Sequence, residues 1–168
     1  MAIVKPFKAI RPAKDKAHLV ASRYVDSYTR TDLHDKLATN PYTFLHVILP
    51  DFDDKMKTHA GTPERLLKIK NKFLKFLKNG TFITEKKSCF YIYRQSKAKD
   101  IFTGIIGCSS IDDYFNNVIK KHEQTLTERE NKLKDYLEVC NFNAEPVCLC
   151  YPDDDALNKH ILKITSQE

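Results

Sequence analysis

An α+β fold is what the sequence predicts, as a single domain over residues 1–168 with a mixed, mainly antiparallel sheet packed by about four helices. Three observations predict it. The stretch "GTPERLLKIKNKFLKFLKNG" has strong helical periodicity, "SCFYIYRQ" and "DIFTGIIGCSSI" are two aromatic and β-branched runs divided by the polar "SKAKD", and helical and strand signals alternate too irregularly for a βαβ array. At 168 residues and 42% apolar content the chain is long enough for one core, and no Pro/Gly/Ser-rich linker or internal repeat divides it.

The N-terminal "IRPAKDKAHLVASRYVDSY" combines Arg11, Lys14, Lys16, Arg23, Asp26 and Tyr28 with little apolar period, as a cleft lining or a surface loop would. "TDLHDKLATN" predicts a short helix capped by Thr29 or Thr31. "NPYTFLHVILP", opened by Asn40-Pro41 and closed by Pro50, predicts a strand. The next helix is capped by Thr62, carries Pro63 in its first turn and Glu64 near the positive dipole end, and stops at Gly80. Leu66, Ile69, Phe73, Leu74 and Leu77 share its apolar sector, and Lys68, Lys72, Lys75 and Lys78 its outer face; Lys70 projects among the apolar residues and must snorkel, pair or reach an anion. The two aromatic runs predict an antiparallel hairpin. A later helix spans about Thr125 to Cys140, "EPVCLCYP" reads as a buried strand, and "DDDALNKHILKI" as a last helix with acids at its start.

The net charge of +6 is uneven: between Thr62 and Gly80 six basic residues face one acid. Five cysteines in apolar runs suggest reduced core thiols rather than disulfides, and without a CxxC pair no metal site is expected. No apolar run approaches the ~20 residues of a membrane span, and the N-terminus has no signal-peptide core, so a cytoplasmic protein is expected.

Three candidate features bear on chemistry. In "VIKKHEQTLTERE", His122, Glu123 and Arg129 offer a proton shuttle, a base and a bidentate anion fork, which suits a phosphate-bearing ligand; the competing reading is a charged helix start capped by Thr125 or Thr127. Leu126 occupies the place of the second histidine of HExxH, which excludes the zinc-protease reading. Gly104 and Gly107, in an apolar strand, point to a bulge or close backbone approach rather than a nucleic-acid-clamping loop. Lys68, Lys72, Lys75 and Lys78, with Phe90, Tyr91 and Tyr93 as stacking surfaces, could meet nucleic acid or an acidic partner, or form a solvated face.

The ordered set "KPFKAIRPAKDKAHLVASRYVDSY", "NPYTFLHV", "FYIYR", "FTGIIG", "DDYFNNVIKKHEQT" and "NAEPVCLCYPD" resembles the N-terminal half of the prokaryotic domain-of-unknown-function family number one thousand and fifteen, in its Bacteroidetes form, from about Lys5 to Asp155. Full-length members are similar to the ParB/sulfiredoxin superfamily through a downstream DGHHR-like motif that this chain lacks. The resemblance implies the N-terminal part of a longer nucleotide- or phosphate-handling protein, inactive without its missing C-terminal half, with ATP or ADP and a divalent cation in the full-length form. Any enzyme activity would be nucleotide-dependent phosphoryl transfer or hydrolysis. The family's HE-x-T motif maps onto His122, Glu123 and Thr125, making His122 and Glu123 the catalytic candidates and Arg11, Arg23, Thr125 and Arg129 the ligand-binding ones. Where relatives carry Pro-Pro-Tyr-Asp this chain has "SRYVDSY", so Tyr24 or Asp26 takes the equivalent part across an inserted Val25.

Overall fold

The computed structural model describes residues 2–52, 54–121 and 126–166. In chain order its elements are β1 (Val4–Lys5), β2 (Ile10–Pro12), α1 (Ala17–Val20), a 3-10 turn (Val25–Ser27), α2 (Arg30–Thr39), α3 (Leu45–Ile48), α4 (Pro63–Lys78), β3 (Phe82–Thr84), β4 (Tyr91–Lys97), β5 (Asp100–Ile106), β6 (Cys108–Ser109), α5 (Ile111–Phe115), α6 (Thr127–Cys140) and α7 (Asp155–Thr165). The class is α+β, and every described strand pairing is antiparallel. The strands form three separate pairs, β1 with β6, β2 with β3 and β4 with β5. Contacts divide the chain into a helical unit (Lys8–Lys87 and Lys121–Asn143) and a hairpin unit (Met1–Phe7, Ser88–Lys120 and Ala144–Glu168).

The helical unit is organised by α4. Thr62 accepts the Arg65 N–H at its N-cap, Pro63 occupies the first turn where no donor is needed, and Gly80 leaves the helix at φ +72°, a conformation that costs glycine nothing. Leu66, Ile69, Phe73 and Phe76 are buried, with Leu77 at the margin. Leu74 lies exposed instead, because Phe76 falls closer to the middle of the sector that the neighbouring elements cover. The core joins α4 to Val20, Val47, Phe82 and Cys140; Phe73 stacks on Phe142 at 3.9 Å, and Phe82 meets Phe44, Phe73 and Phe76. β2 and β3 run in register Ile10↔Thr84, Arg11↔Ile83, Pro12↔Phe82.

"NPYTFLHVILP" is a turn and a short buried helix, not a strand. Asn40 organises it: its side-chain oxygen accepts the Tyr42 N–H, its amide nitrogen donates to the Leu19 carbonyl, and the chain then coils into α3 with Leu45 and Val47 fully buried. A short apolar run buried on every side carries no period that distinguishes helix from strand.

In the hairpin unit, β4 and β5 pair from Tyr91↔Ile106 to Lys97↔Asp100 around a two-residue turn. The N-terminal segment bonds to β6 and, through Phe7↔Cys89, to the residue before Phe90; Tyr91 Oη donates to the Phe7 carbonyl. A Cβ on Gly107 would lie 2.8 Å from Val4 Cγ1, the close approach that its glycine predicts, whereas Gly104 has open space. α5 and α7 are capped by Ser110 and Asp154. "EPVCLCYP" forms no strand and lies exposed, Val147 at 85%, because no described strand offers it a ladder. Of the cysteines only Cys140 is a core thiol; Cys89, Cys108, Cys148 and Cys150 are exposed. No helix among the described residues is long and apolar enough to cross a membrane.

Candidate functional site

The feature of the helical unit with the most chemistry is an open recess of about 320 Å³ between α2 and the loop that joins α3 to α4. Thr29 caps α2 by accepting the Asp32 N–H at 3.1 Å, and this fixes which residues face inward. Arg30, Leu33, His34 and Leu37, spaced i, i+3, i+4 and i+7, form the face that lines the recess. Leu49 and Phe52 complete the apolar floor, and Lys57, Thr58, Arg65 and Asp51 the opposite wall. His34 meets the edge of Phe52 at 5.4 Å.

Asp51 holds that wall together. Its carboxylate is only 6% exposed and takes four bonds: Oδ2 accepts from Thr58 N–H at 2.9 Å, Thr58 Oγ1 at 2.6 Å and Arg65 Nη1 at 2.8 Å, and Oδ1 accepts from Lys68 Nζ at 2.7 Å. Lys68 bridges on to Asp54 at 2.8 Å. The Lys68 bond, then the two Thr58 bonds, hold the Asp51 carboxyl well below the usual carboxylate range, and the bonds to Asp51 and Asp54 raise the Lys68 ammonium above its own. Lys57 Nζ ties the loop back on itself through the carbonyls of Asp51 at 2.5 Å and Phe52 at 3.2 Å.

The balance of charge follows from this wiring. Three cationic side chains, Arg30, Lys57 and Arg65, line the recess with one carboxylate, and that carboxylate is already shared between Arg65 and Lys68. The rim is therefore left positive over an apolar floor. Such a recess suits an anion with an apolar or aromatic part. Asp51 is a poor general base, since it is held ionised with all its bonds engaged.

A second hollow of about 510 Å³ lies on the other face of α2, lined by Arg23, Tyr28, Asp32, Asp35 and Lys36 among others. Its two acids offset its two bases, which makes it a weaker anion site.

The residues singled out from the sequence are dispersed. His122, Glu123 and Thr125 lie outside the described residues. Arg129 is exposed in the first turn of α6, where Leu126 is the N-cap and its own side chain makes no capping bond. Arg11 pairs with Glu85 from β2 to the chain after β3, and the Arg23 guanidinium stacks on Tyr28 at 4.5 Å. Lys68 belongs to the Asp51 cluster, Lys72 is half-buried, and Lys75 and Lys78 are exposed. Arg30, His34, Lys57 and Arg65 were not selected as a site from the sequence. The i, i+3, i+4, i+7 spacing along "RTDLHDKL" was the signal for two of them.

Fold and recess together define an α+β protein with a basic, anion-compatible recess in its helical unit. The chain belongs to the family described as "Protein of unknown function (DUF1015)", whose model matches residues 4–168. No curated protein and no solved structure matches it.

Proposed function

We propose that the helical unit binds a nucleotide or another phosphorylated small molecule in the recess between α2 and the 51–58 loop. The observation that supports this is the lining itself: Arg30, Lys57 and Arg65 around a floor of Leu33, Leu37, Leu49 and Phe52. Phosphate oxygens take the guanidinium and ammonium donors, and a base or other flat group lies on the floor against Phe52 and His34. The volume is at the small end of the roughly 300–1,000 Å³ range of ligand pockets, which suits a mononucleotide. The reading agrees with the nucleotide or phosphate handling implied by the ParB/sulfiredoxin-like resemblance. The described lining residues supply binding, and His122 and Glu123 remain the residues to which we assign any acid–base chemistry.

Isothermal titration with ADP, ATP and inorganic phosphate tests it. ADP is expected to bind, and Arg30→Ala to weaken it about 10- to 100-fold, the cost of one or two charge-assisted hydrogen bonds. Lys75→Glu with Lys78→Glu should leave ADP binding unchanged, since both lie on α4 outside the recess lining. Salt-sensitive nucleic-acid binding that this double reversal removes, without any ADP binding, would move the function to the lysine face.

A further inference from the structure

The hairpin unit has little interior of its own. Among its described residues Ile161 is the only large apolar side chain that is buried, whereas Ile101 and Phe102 on β5 are 56% and 61% exposed. Among the described residues β4 and β5 pair only with each other, and a two-stranded sheet is marginal alone. The two-residue turn at Ala98 and Lys99 makes Lys97 and Asp100 the closing pair. Hydrogen-bonded pairs then alternate, so Asp100, Phe102, Gly104 and Ile106 turn their backbone groups toward β4, while Ile101, Thr103 and Ile105 turn theirs to the open edge. No lysine, arginine or proline blunts that edge.

We propose that this edge of β5 pairs antiparallel with the same edge of a second copy of the chain, about a two-fold axis at Thr103, to make a four-stranded sheet. In this register Ile101 faces Ile105 of the second copy, Thr103 faces its own counterpart, and Phe102 lies over Gly104 of the second copy. The strand is complementary to itself in three ways. All three outward-facing residues find counterparts, whereas a centre one residue either way leaves one of them without a counterpart within β5. The space over Gly104 is open, nothing lying within 4 Å of where a Cβ would stand, and an aromatic ring across a strand glycine fills such a gap. The apolar pair Ile101–Ile105 occurs twice by symmetry, as an isologous interface requires. One seven-residue edge covers less than the roughly 800 Å² per partner of a tight dimer, so association is weak and depends on concentration.

Sedimentation equilibrium of the whole chain over a concentration series tests this, with Thr103→Pro and Ile101→Lys as variants. Proline at 103 removes an outward donor and spares the β4–β5 ladder, and lysine at 101 is a charge at an exposed edge position. The wild type is expected to approach twice the monomer mass as concentration rises, and both variants to stay monomeric with unchanged far-ultraviolet circular dichroism. Thr103→Cys, with Cys89, Cys108, Cys148 and Cys150 replaced by serine, should form a disulfide dimer under mild oxidant, because facing Cα atoms in a hydrogen-bonded pair lie about 5.5 Å apart. A wild type that stays monomeric throughout, or a dimer that survives both edge variants, overturns the proposal. Neither result bears on ADP binding by the helical unit, so the two readings fail separately.

Discussion

At the scale of single residues, Asp51 organises the recess, and its charge makes the protein sensitive to acid. Its carboxyl is held well below the ordinary carboxylate value, so the native state binds the proton less readily than the unfolded chain does. The stabilisation is complete above the unfolded value of about 4 and is lost as pH falls from there toward the depressed native one. Lys68 runs the opposite way: its raised value contributes stability that is full below the unfolded lysine value of about 10.4 and fades only as pH rises through the native one. Denaturant titrations from pH 6 down to pH 2 should therefore show Asp51→Asn less stable than the wild type at pH 6 and the two converging in acid; a constant gap across that range would remove the carboxylate's charge from the account. This cluster was hard to read in the sequence because Asp51, Thr58, Arg65 and Lys68 belong to a loop and a helix whose meeting depends on the tertiary fold. Lys68 looked like a member of a basic outer face, and only the loop folding back over α4 converts it to a buttress.

At the scale of elements, the parts with local punctuation were legible, and those defined by burial alone were not. Thr62, Pro63 and Gly80 delimit α4, Thr29 starts α2, and the polar interval between two aromatic runs marks the hairpin turn. "NPYTFLHVILP" and "EPVCLCYP" are both short apolar runs. One coils into α3 because Asn40 bonds to the chain on either side of it, and the other forms neither helix nor strand. α4 and α6 meet through aromatic rings, Phe73 stacked on Phe142 and Tyr136 edge-on to the same ring at 5.5 Å. Phe73→Ala should accordingly cost about 3–5 kcal/mol in urea denaturation, the range for truncating a buried aromatic. Thr62→Ala removes the helix cap together with the hydroxyl's bond to the His59 carbonyl and should cost about 1–2 kcal/mol. Equal losses would mean that the ring stack contributes no more than the cap.

At the scale of the whole molecule, core and site lie in the same unit. The buried cluster of the helical unit gathers around α4, and the recess is built from α2, the start of α4 and the loop before it. The hairpin unit is different, with apolar side chains on both faces of β4–β5 and almost none buried. Backbone amides of β4 and β5 should therefore exchange with solvent faster than those of the buried turns of α4, and those of Ile101, Thr103 and Ile105 should gain protection as concentration rises if the edge pairs with itself. The α+β class was legible because it rests on element types; the recess was not, because it depends on how three elements of one unit come together. The most direct test of the central claim is calorimetric titration of ADP into the wild-type chain and into Arg30→Ala. Saturable binding that the substitution weakens about 10- to 100-fold is the predicted result. No binding by the wild type, or binding that Arg30→Ala leaves unchanged, would contradict it.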